Sequence, residues 1–122
     1  MESKKTVVIG ASPNPARYSN TAVKELKSNG FPVEAIGLRS DRIGNIEIKT
    51  GFPMIEDVHT VTIYVSPQNQ SQYFDYILDR LNPKRIIFNP GTENDEFEQM
   101  AADKGIEVVR NCTLVMLEYG IF

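Results

Sequence analysis

Residues 6–12 read TVVIGAS, and they are followed by PNPAR at 13–17 and YSNTAVKEL at 18–26. The apolar run at 7–9 is short and continuous, which is typical of a strand covered on both faces of a sheet. Gly10 then turns the chain toward a helix. Where a strand ends at glycine before a helix, backbone N–H groups and the helix N-terminus converge and can hold an anion. This stretch therefore predicts a site for a nucleotide or another phosphate-bearing ligand.

Strand and helix patterns alternate along the whole chain. Apolar runs predict strands at residues 7–9, 31–38, 61–65, 85–88 and 106–109, and residues 46–48 fit a short edge strand. Helical spacing predicts helices at about 19–29, from Ser66 and Pro67 to Asn82, and from 92–95 to Gly105. The apolar residues 114–117 are expected to pack on the sheet. Such alternation predicts one α/β domain over residues 1–122, with an open parallel sheet of about five strands and helices on both faces.

Two of the predicted helix starts carry capping signals. Ser66 offers a hydroxyl at the N-cap, and Pro67 suits the first helical position. Residues 92–95, TEND, resemble a capping box with aspartate in place of glutamate. Both signals predict that a helix begins directly after the strand that precedes it.

The composition excludes several classes of protein. The net charge is −3, which argues against non-specific binding of nucleic acid, because such binding depends on a basic face. No apolar run approaches the ~20 residues of a membrane span, and residues 1–5 do not resemble a signal peptide. The one cysteine, Cys112, excludes an internal disulfide and a cysteine-based zinc cluster. The chain is therefore expected in the cytoplasm, with no nucleic-acid or membrane partner.

The charges are unevenly distributed along the chain. Residues 1–50 hold eight basic and five acidic side chains, a balance of +3, whereas residues 51–122 hold five basic and eleven acidic ones, a balance of −6. The excess of positive charge thus lies in the half of the chain that carries the glycine turn. This distribution favours a small polyanion as the ligand.

In open α/β sheets, ligands bind beyond the carboxyl ends of the strands. Four predicted turns meet there, at residues 10–17, 37–42, 65–68 and 89–92. His59 precedes a strand and is expected at the opposite end, while Cys112 is expected to be a structural thiol near the rim. Because the chain has no second histidine or cysteine, it offers no metal site of these residues and no Cys–His pair. We predict no catalytic and no metal-binding residues.

The turns also discriminate between classes of nucleotide. A dinucleotide fingerprint needs three glycines, but Ser12 and Pro15 occupy two of the places, so a plain NAD site is poorly supported. After the second strand, Arg39 and Arg42 suit a phosphate on the adenosine ribose, which NADP and coenzyme A both carry. The alternatives are that Gly10 only turns the chain and that both arginines are solvated loop charges.

Several motifs together resemble a known family. They are VVIGASPNPARYS at 7–19, LKSNG at 26–30, NPGTEN at 89–94, and Asn111–Cys112. The chain resembles the stand-alone CoA-binding domain proteins, which are similar to the N-terminal Rossmann-like domain of the succinyl-CoA synthetase alpha subunit. The resemblance implies a Rossmann-like fold and a site for coenzyme A or an acyl-CoA. The synthetase's phosphorylated histidine lies in a further domain and is not matched by His59.

The resemblance also implies which residues contact the cofactor. The phosphates would meet Gly10, Ala11, Ser12, Asn14 and Arg17, with Asn20 near the helix start. The adenosine would meet Leu38 and Arg39, although the usual proline is missing from this turn, and the pantetheine would meet Val65, Ser66, Pro67, Asn89, Pro90 and Gly91. Two other hypotheses stay open, an NADP-type enzyme or sensor and a homodimer or partner subunit of another enzyme with a vestigial crevice.

Overall fold

A seven-stranded sheet forms the centre of the computed structural model, which describes residues 3–122. In chain order the strands are β1 (Thr6–Ile9), β2 (Val33–Ile36), β3 (Asp41–Ile43), β4 (Ile46–Lys49), β5 (Thr60–Ile63), β6 (Arg85–Phe88) and β7 (Glu107–Arg110). Across the sheet they follow the order β3-β4-β2-β1-β5-β6-β7, and only β3 pairs antiparallel. The predicted Rossmann-like α/β architecture is confirmed.

Helices cover both faces of this sheet. The α-helices are α1 (Tyr18–Ser28), α2 (Asp95–Asp103) and α3 (Thr113–Glu118). On one face, Val23 of α1 and Met116 of α3 pack in one buried cluster with Val8. On the other face, Phe97 of α2 lies in a second cluster with Val7, because successive side chains of a strand point to opposite faces. Of residues 114–117, which were predicted to pack on the sheet, Met116 and Leu117 do so as part of α3, whereas Val115 is exposed.

The sheet has two more strands than the five predicted. Residues 46–49 form β4, which is parallel to β2 and lies one place inside the edge. The edge itself is β3, which pairs with β4 through the short turn at Gly44 and Asn45. Gly44 has φ of 60°, a conformation that two-residue hairpin turns require and that glycine adopts without strain.

The helical segment 67–81 is not the continuous helix that the apolar spacing predicts. It consists of two 3₁₀ turns, Pro67–Asn69 and Ser71–Tyr73, and a π-helical stretch, Tyr76–Leu81, that ends at Asn82 as predicted. Gln70 lies between the two 3₁₀ turns, and its buried side-chain amide donates to the carbonyls of Val65 and Thr92 at 2.9 and 2.7 Å. Pro67 takes the first position of the first turn, but the Ser66 hydroxyl caps no backbone amide.

The capping box of α2 begins two residues later than predicted. The N-cap is Asn94, whose Oδ1 accepts from the backbone N–H of Phe97 at 3.2 Å. In return, Glu98 accepts from the Asn94 amide at 2.8 Å, so the pair forms a reciprocal cap. Thr92 and Glu93 instead continue the turn that follows β6.

Candidate functional site

The sheet brings the four predicted turns to one edge. β2, β1, β5 and β6 are parallel neighbours, so the turns that follow them lie side by side in that order. We call this the carboxyl edge, formed by residues 37–40, 10–17, 64–67 and 89–92. All fourteen residues that the family resemblance implies lie on it or, like Asn20, in the first turn of the adjoining helix.

The β1 and β2 turns are locked together by backbone contacts. The amides of Gly10 and Ala11 both donate to the carbonyl of Ile36, each at 2.9 Å. A Cβ at Gly37 would lie 2.3 Å from the Ala11 oxygen, and one at Gly10 would lie 3.1 Å from the Tyr64 carbonyl carbon. The Gly10 and Ala11 amides are therefore engaged within the sheet. Contrary to the expectation from the sequence, they are not the donors that this turn offers to an anion.

The donors of the first turn lie further along the chain. The Ser12 Oγ accepts from the Asn14 amide at 3.1 Å, and the Asn14 Oδ1 accepts from the Ala16 amide at 2.9 Å. These two small turns leave the Ser12 hydroxyl hydrogen and the Asn14 side-chain NH₂ as donors. Arg17 is the exposed N-cap residue of α1, and it makes no side-chain cap.

The first turn of α1 adds backbone donors beside Arg17. The amides of Tyr18 and Ser19 begin the helix, where N–H groups have no intrahelical acceptor. The positive end of the helix dipole lies at the same place. Together with the guanidinium of Arg17, these amides are donors of the kind that bind phosphate groups at helix N-termini.

The side chain of Asn20 holds the loop of residues 10–17 in place by a hydrogen bond. Its side chain is only 2% exposed, and its Nδ2 donates to the carbonyl of Ser12 at 2.9 Å. Its Oδ1 is buried without a donor among residues 3–122. In this conformation Asn20 positions the loop, in which Ser12 is half-buried and Asn14 and Arg17 are exposed.

The exit of β2 presents an apolar and a cationic side chain. Leu38 is 85% exposed and Arg39 is also exposed. Arg42 is separated from them, because it belongs to β3 and donates to the carbonyl of Asn45 in the hairpin turn at 3.1 Å. Arg42 therefore belongs to the hairpin of β3 and β4 and not to the turn after β2. Only Arg39 lies in the turn at this point of the carboxyl edge.

The β6 turn is held by a buried amide. Asn89 is 3% exposed; its Nδ2 donates to the Thr62 hydroxyl and the Ile63 carbonyl at 2.7 and 2.8 Å. Its Oδ1 accepts from the amide of Thr113 at 2.8 Å. Asn89 therefore joins β5, β6 and the start of α3, and the exposed residues of this turn are Pro90 and Gly91.

The β5 turn lies between these two groups. The Val65 carbonyl accepts from Gln70, and the Ser66 hydroxyl accepts from the Asn69 side chain at 2.9 Å. The hydroxyl of Tyr64 is buried close to the hydroxyls of Thr62 and Thr113. Burial raises the pKa of Tyr64 above its usual value, so this phenol is protonated at neutral pH.

Three residues that adjoin the carboxyl edge escaped the sequence analysis. Tyr18 follows Arg17 directly and is 77% exposed. Its place at the start of the first predicted helix is visible in the sequence, so it could have been included among the candidate site residues. Glu93 accepts from the Gly91 amide at 2.9 Å, and Gln70 ties the β5 turn to the β6 turn. The role of Gln70 carries no sequence signal, because it depends on carbonyls 5 and 22 residues away.

Several other features lie away from the carboxyl edge. His59 precedes β5 and so lies at the opposite end of the sheet, as predicted. Within residues 3–122 no three His, Cys, Asp or Glu side chains are grouped to hold a metal ion. No helix in that range is long and apolar enough to cross a membrane. Cavities of about 460 and 310 Å³ adjoin Met54 and Ile55, away from the predicted site residues.

Comparison with known proteins assigns the family. Residues 4–118 match the family described as CoA binding domain. A crystal structure described as an uncharacterized protein is 46% identical, with full coverage of both chains and a TM-score of 0.95. A conserved hypothetical protein from Pyrococcus furiosus is 28% identical, with 94% of this chain and 98% of that one covered and a TM-score of 0.79.

More distant structures share the fold. A hypothetical protein from Pyrococcus horikoshii OT3 is 23% identical, with a TM-score of 0.86 over 96% of this chain and 83% of that one. No curated protein matches the sequence significantly. Because the family match covers nearly the whole chain and includes all four turns of the carboxyl edge, this chain belongs to the CoA-binding domain family.

Proposed function

We propose that the protein binds coenzyme A or an acyl-CoA along the carboxyl edge and performs no reaction of its own. The observation that supports this most strongly is the group of unengaged donors at the start of α1, in a chain of the CoA-binding domain family. A diphosphate carries the charge and the acceptor oxygens that such donors bind.

The residues of the edge suit the successive parts of the cofactor. The diphosphate would meet the first amides of α1, the Ser12 hydroxyl and the guanidinium of Arg17. The adenine would lie against the exposed Leu38, and Arg39 would pair with the phosphate on the ribose. The pantetheine would then pass over the turns at 64–67 and 89–92, which lie next in the order of strands.

The hydrogen bonding of the polar groups at the carboxyl edge supports binding without catalysis. The buried side-chain amides of Asn89 and Gln70 are engaged by backbone and hydroxyl groups of the protein itself. The groups around the start of α1 are hydrogen-bond donors and a guanidinium, which suit the binding of an anion. Tyr64 keeps its proton because burial raises its pKa.

Arg17→Ala is expected to weaken the binding of coenzyme A about tenfold, because it removes one charge-assisted hydrogen bond from an exposed phosphate site. Calorimetric titration of coenzyme A into the purified protein and the variant measures this. Lys24→Ala is the matched control, since Lys24 is an exposed cation of the same helix without a contact to the loop. An unchanged affinity in Arg17→Ala would remove Arg17 from the site.

The ribose phosphate is tested with a second ligand. If Arg39 pairs with this phosphate, 3′-dephospho-CoA should bind the native protein more weakly than coenzyme A does. In Arg39→Ala, the two ligands should bind with the same, reduced affinity. NADPH is titrated in parallel. Binding of NADPH but not of coenzyme A would replace this proposal with that of an NADP-type protein.

A further inference from the structure

Cationic groups are unevenly distributed along the carboxyl edge. The turns after β1 and β2 hold the exposed Arg17 and Arg39. Arg17 directly precedes the backbone amides of Tyr18 and Ser19, which have no intrahelical acceptor at the start of α1. The turns after β5 and β6, at residues 64–67 and 89–92, contain no lysine or arginine. The charged donors of the edge therefore belong to its β1 and β2 half.

The β5 turn uses much of its hydrogen-bonding capacity within the protein. The Tyr64 amide donates to the Ile9 carbonyl at 2.9 Å, and Pro67 has no N–H. The Val65 carbonyl accepts from the side chain of Gln70 at 2.9 Å. Any donor that this turn keeps for a ligand is neutral.

The β6 turn likewise directs its polar groups into the protein. The Gly91 amide donates to the Oε1 of Glu93, and the Thr92 amide donates to the Asn89 carbonyl, each at 2.9 Å. Pro90 has no N–H, and the Asn89 side chain is buried and makes three hydrogen bonds. The charged group bound to this turn is the carboxylate of Glu93, which does not attract a polyanion.

The order of the strands determines which part of coenzyme A would meet these two turns. Adjacent strands are about 4.8 Å apart, so the β5 and β6 turns lie roughly 5 and 10 Å from the β1 turn. With the diphosphate at the β1 turn, the first half of the pantetheine arm would lie there, and its hydroxyl and amide groups are neutral. Neutral hydrogen bonds are about half as strong as charge-assisted ones, and ordering a flexible arm costs affinity.

From this contrast we infer that the site recognises the nucleotide half of coenzyme A, the 3′-phosphorylated adenosine diphosphate, and does not select what the thiol carries. The inference rests on the proposed binding of coenzyme A. The ligand class is then any molecule that presents this nucleotide. Free coenzyme A and its acyl esters bind alike, because the pantetheine arm contributes little to the affinity.

The two halves of coenzyme A test the inference, because 3′-phospho-ADP and 4′-phosphopantetheine each end in a phosphate. Calorimetry at about 0.15 M salt screens the additional phosphate charge of the fragments. The nucleotide fragment should bind within about fivefold of coenzyme A. The pantetheine fragment should bind about 100-fold more weakly, since it lacks both the adenine and the ribose phosphate.

Two further titrations use the same assay. Arg17→Ala should weaken the binding of coenzyme A and of 3′-phospho-ADP by the same factor, about tenfold, because Arg17 contacts the half that both ligands share. Butyryl-CoA and coenzyme A should bind the native protein with affinities that agree within about twofold, since the acyl group meets no group that selects it.

The outcomes separate the two proposals. If coenzyme A binds but 3′-phospho-ADP loses more than fivefold in affinity, or if 4′-phosphopantetheine binds as tightly as the nucleotide fragment, the inference is wrong and the proposed function stands. A clear preference between butyryl-CoA and coenzyme A would also overturn the inference alone. If coenzyme A does not bind, the proposed function fails, and the inference fails with it.

Discussion

Asn89→Ala is expected to lower the free energy of unfolding by about 3 kcal/mol, because it leaves several buried polar groups without a partner. The Asn89 side chain is the donor to the Thr62 hydroxyl and the Ile63 carbonyl, and it is the acceptor for the Thr113 amide. All of these groups lie in buried residues. Alanine supplies none of the three contacts, and water reaches the gap only if the β6 turn opens.

Urea unfolding measures this loss, with Asn69→Ala as the matched control. Asn69 is exposed, and its side-chain NH₂ makes a single hydrogen bond, to the Ser66 hydroxyl. Its replacement should cost no more than about 0.5 kcal/mol. A loss below about 1 kcal/mol for Asn89→Ala would show that the amide does not hold the turn. Asn89 would then be available to a ligand, as the family resemblance implies.

Gly37→Ala should also cost about 3 kcal/mol, although the backbone at Gly37 does not require glycine. The added Cβ would lie 2.3 Å from the Ala11 carbonyl oxygen and 2.9 Å from the Cγ2 of Ile48. The first of these atoms belongs to the backbone of the glycine turn, so the two loops would have to separate. The same variant should therefore weaken the binding of coenzyme A.

Gly51→Ala separates the effect of space from that of backbone conformation. Gly51 has φ of 71°, but a Cβ there meets no atom within 4 Å. Its replacement should cost about 1 kcal/mol, which is the strain of a side chain in the left-handed region. If urea unfolding shows Gly37→Ala to be no more destabilising than Gly51→Ala, the close contact between the two turns is absent in solution.

The sequence predicts the central strands because their signal is local. Residues 7–9 and 85–88 are apolar runs, and strands buried on both faces need such runs. β3 escapes prediction because two of its three residues, Asp41 and Arg42, are exposed and charged at the edge of the sheet. β3 forms because it pairs with β4, and no sequence pattern within residues 41–43 indicates that pairing.

The location of the site can be predicted from the sequence, but which of its polar groups are already hydrogen-bonded within the protein cannot. Parallel strands place their turns at one edge, so the four turns could be chosen from the sequence. Whether the Gly10 amide is available depends on Ile36, which is 26 residues further along the chain and accepts its hydrogen bond. Likewise, the burial of Asn89 depends on Thr113 of α3, whose start the sequence does not mark.

A crystal structure of the protein grown with saturating coenzyme A tests the central claim most directly. The account predicts density for the diphosphate within hydrogen-bonding distance of the first-turn amides of α1, with the adenine beside Leu38. Coenzyme A seated instead in the cavity beside Met54, or a carboxyl edge without density for the cofactor, would contradict it.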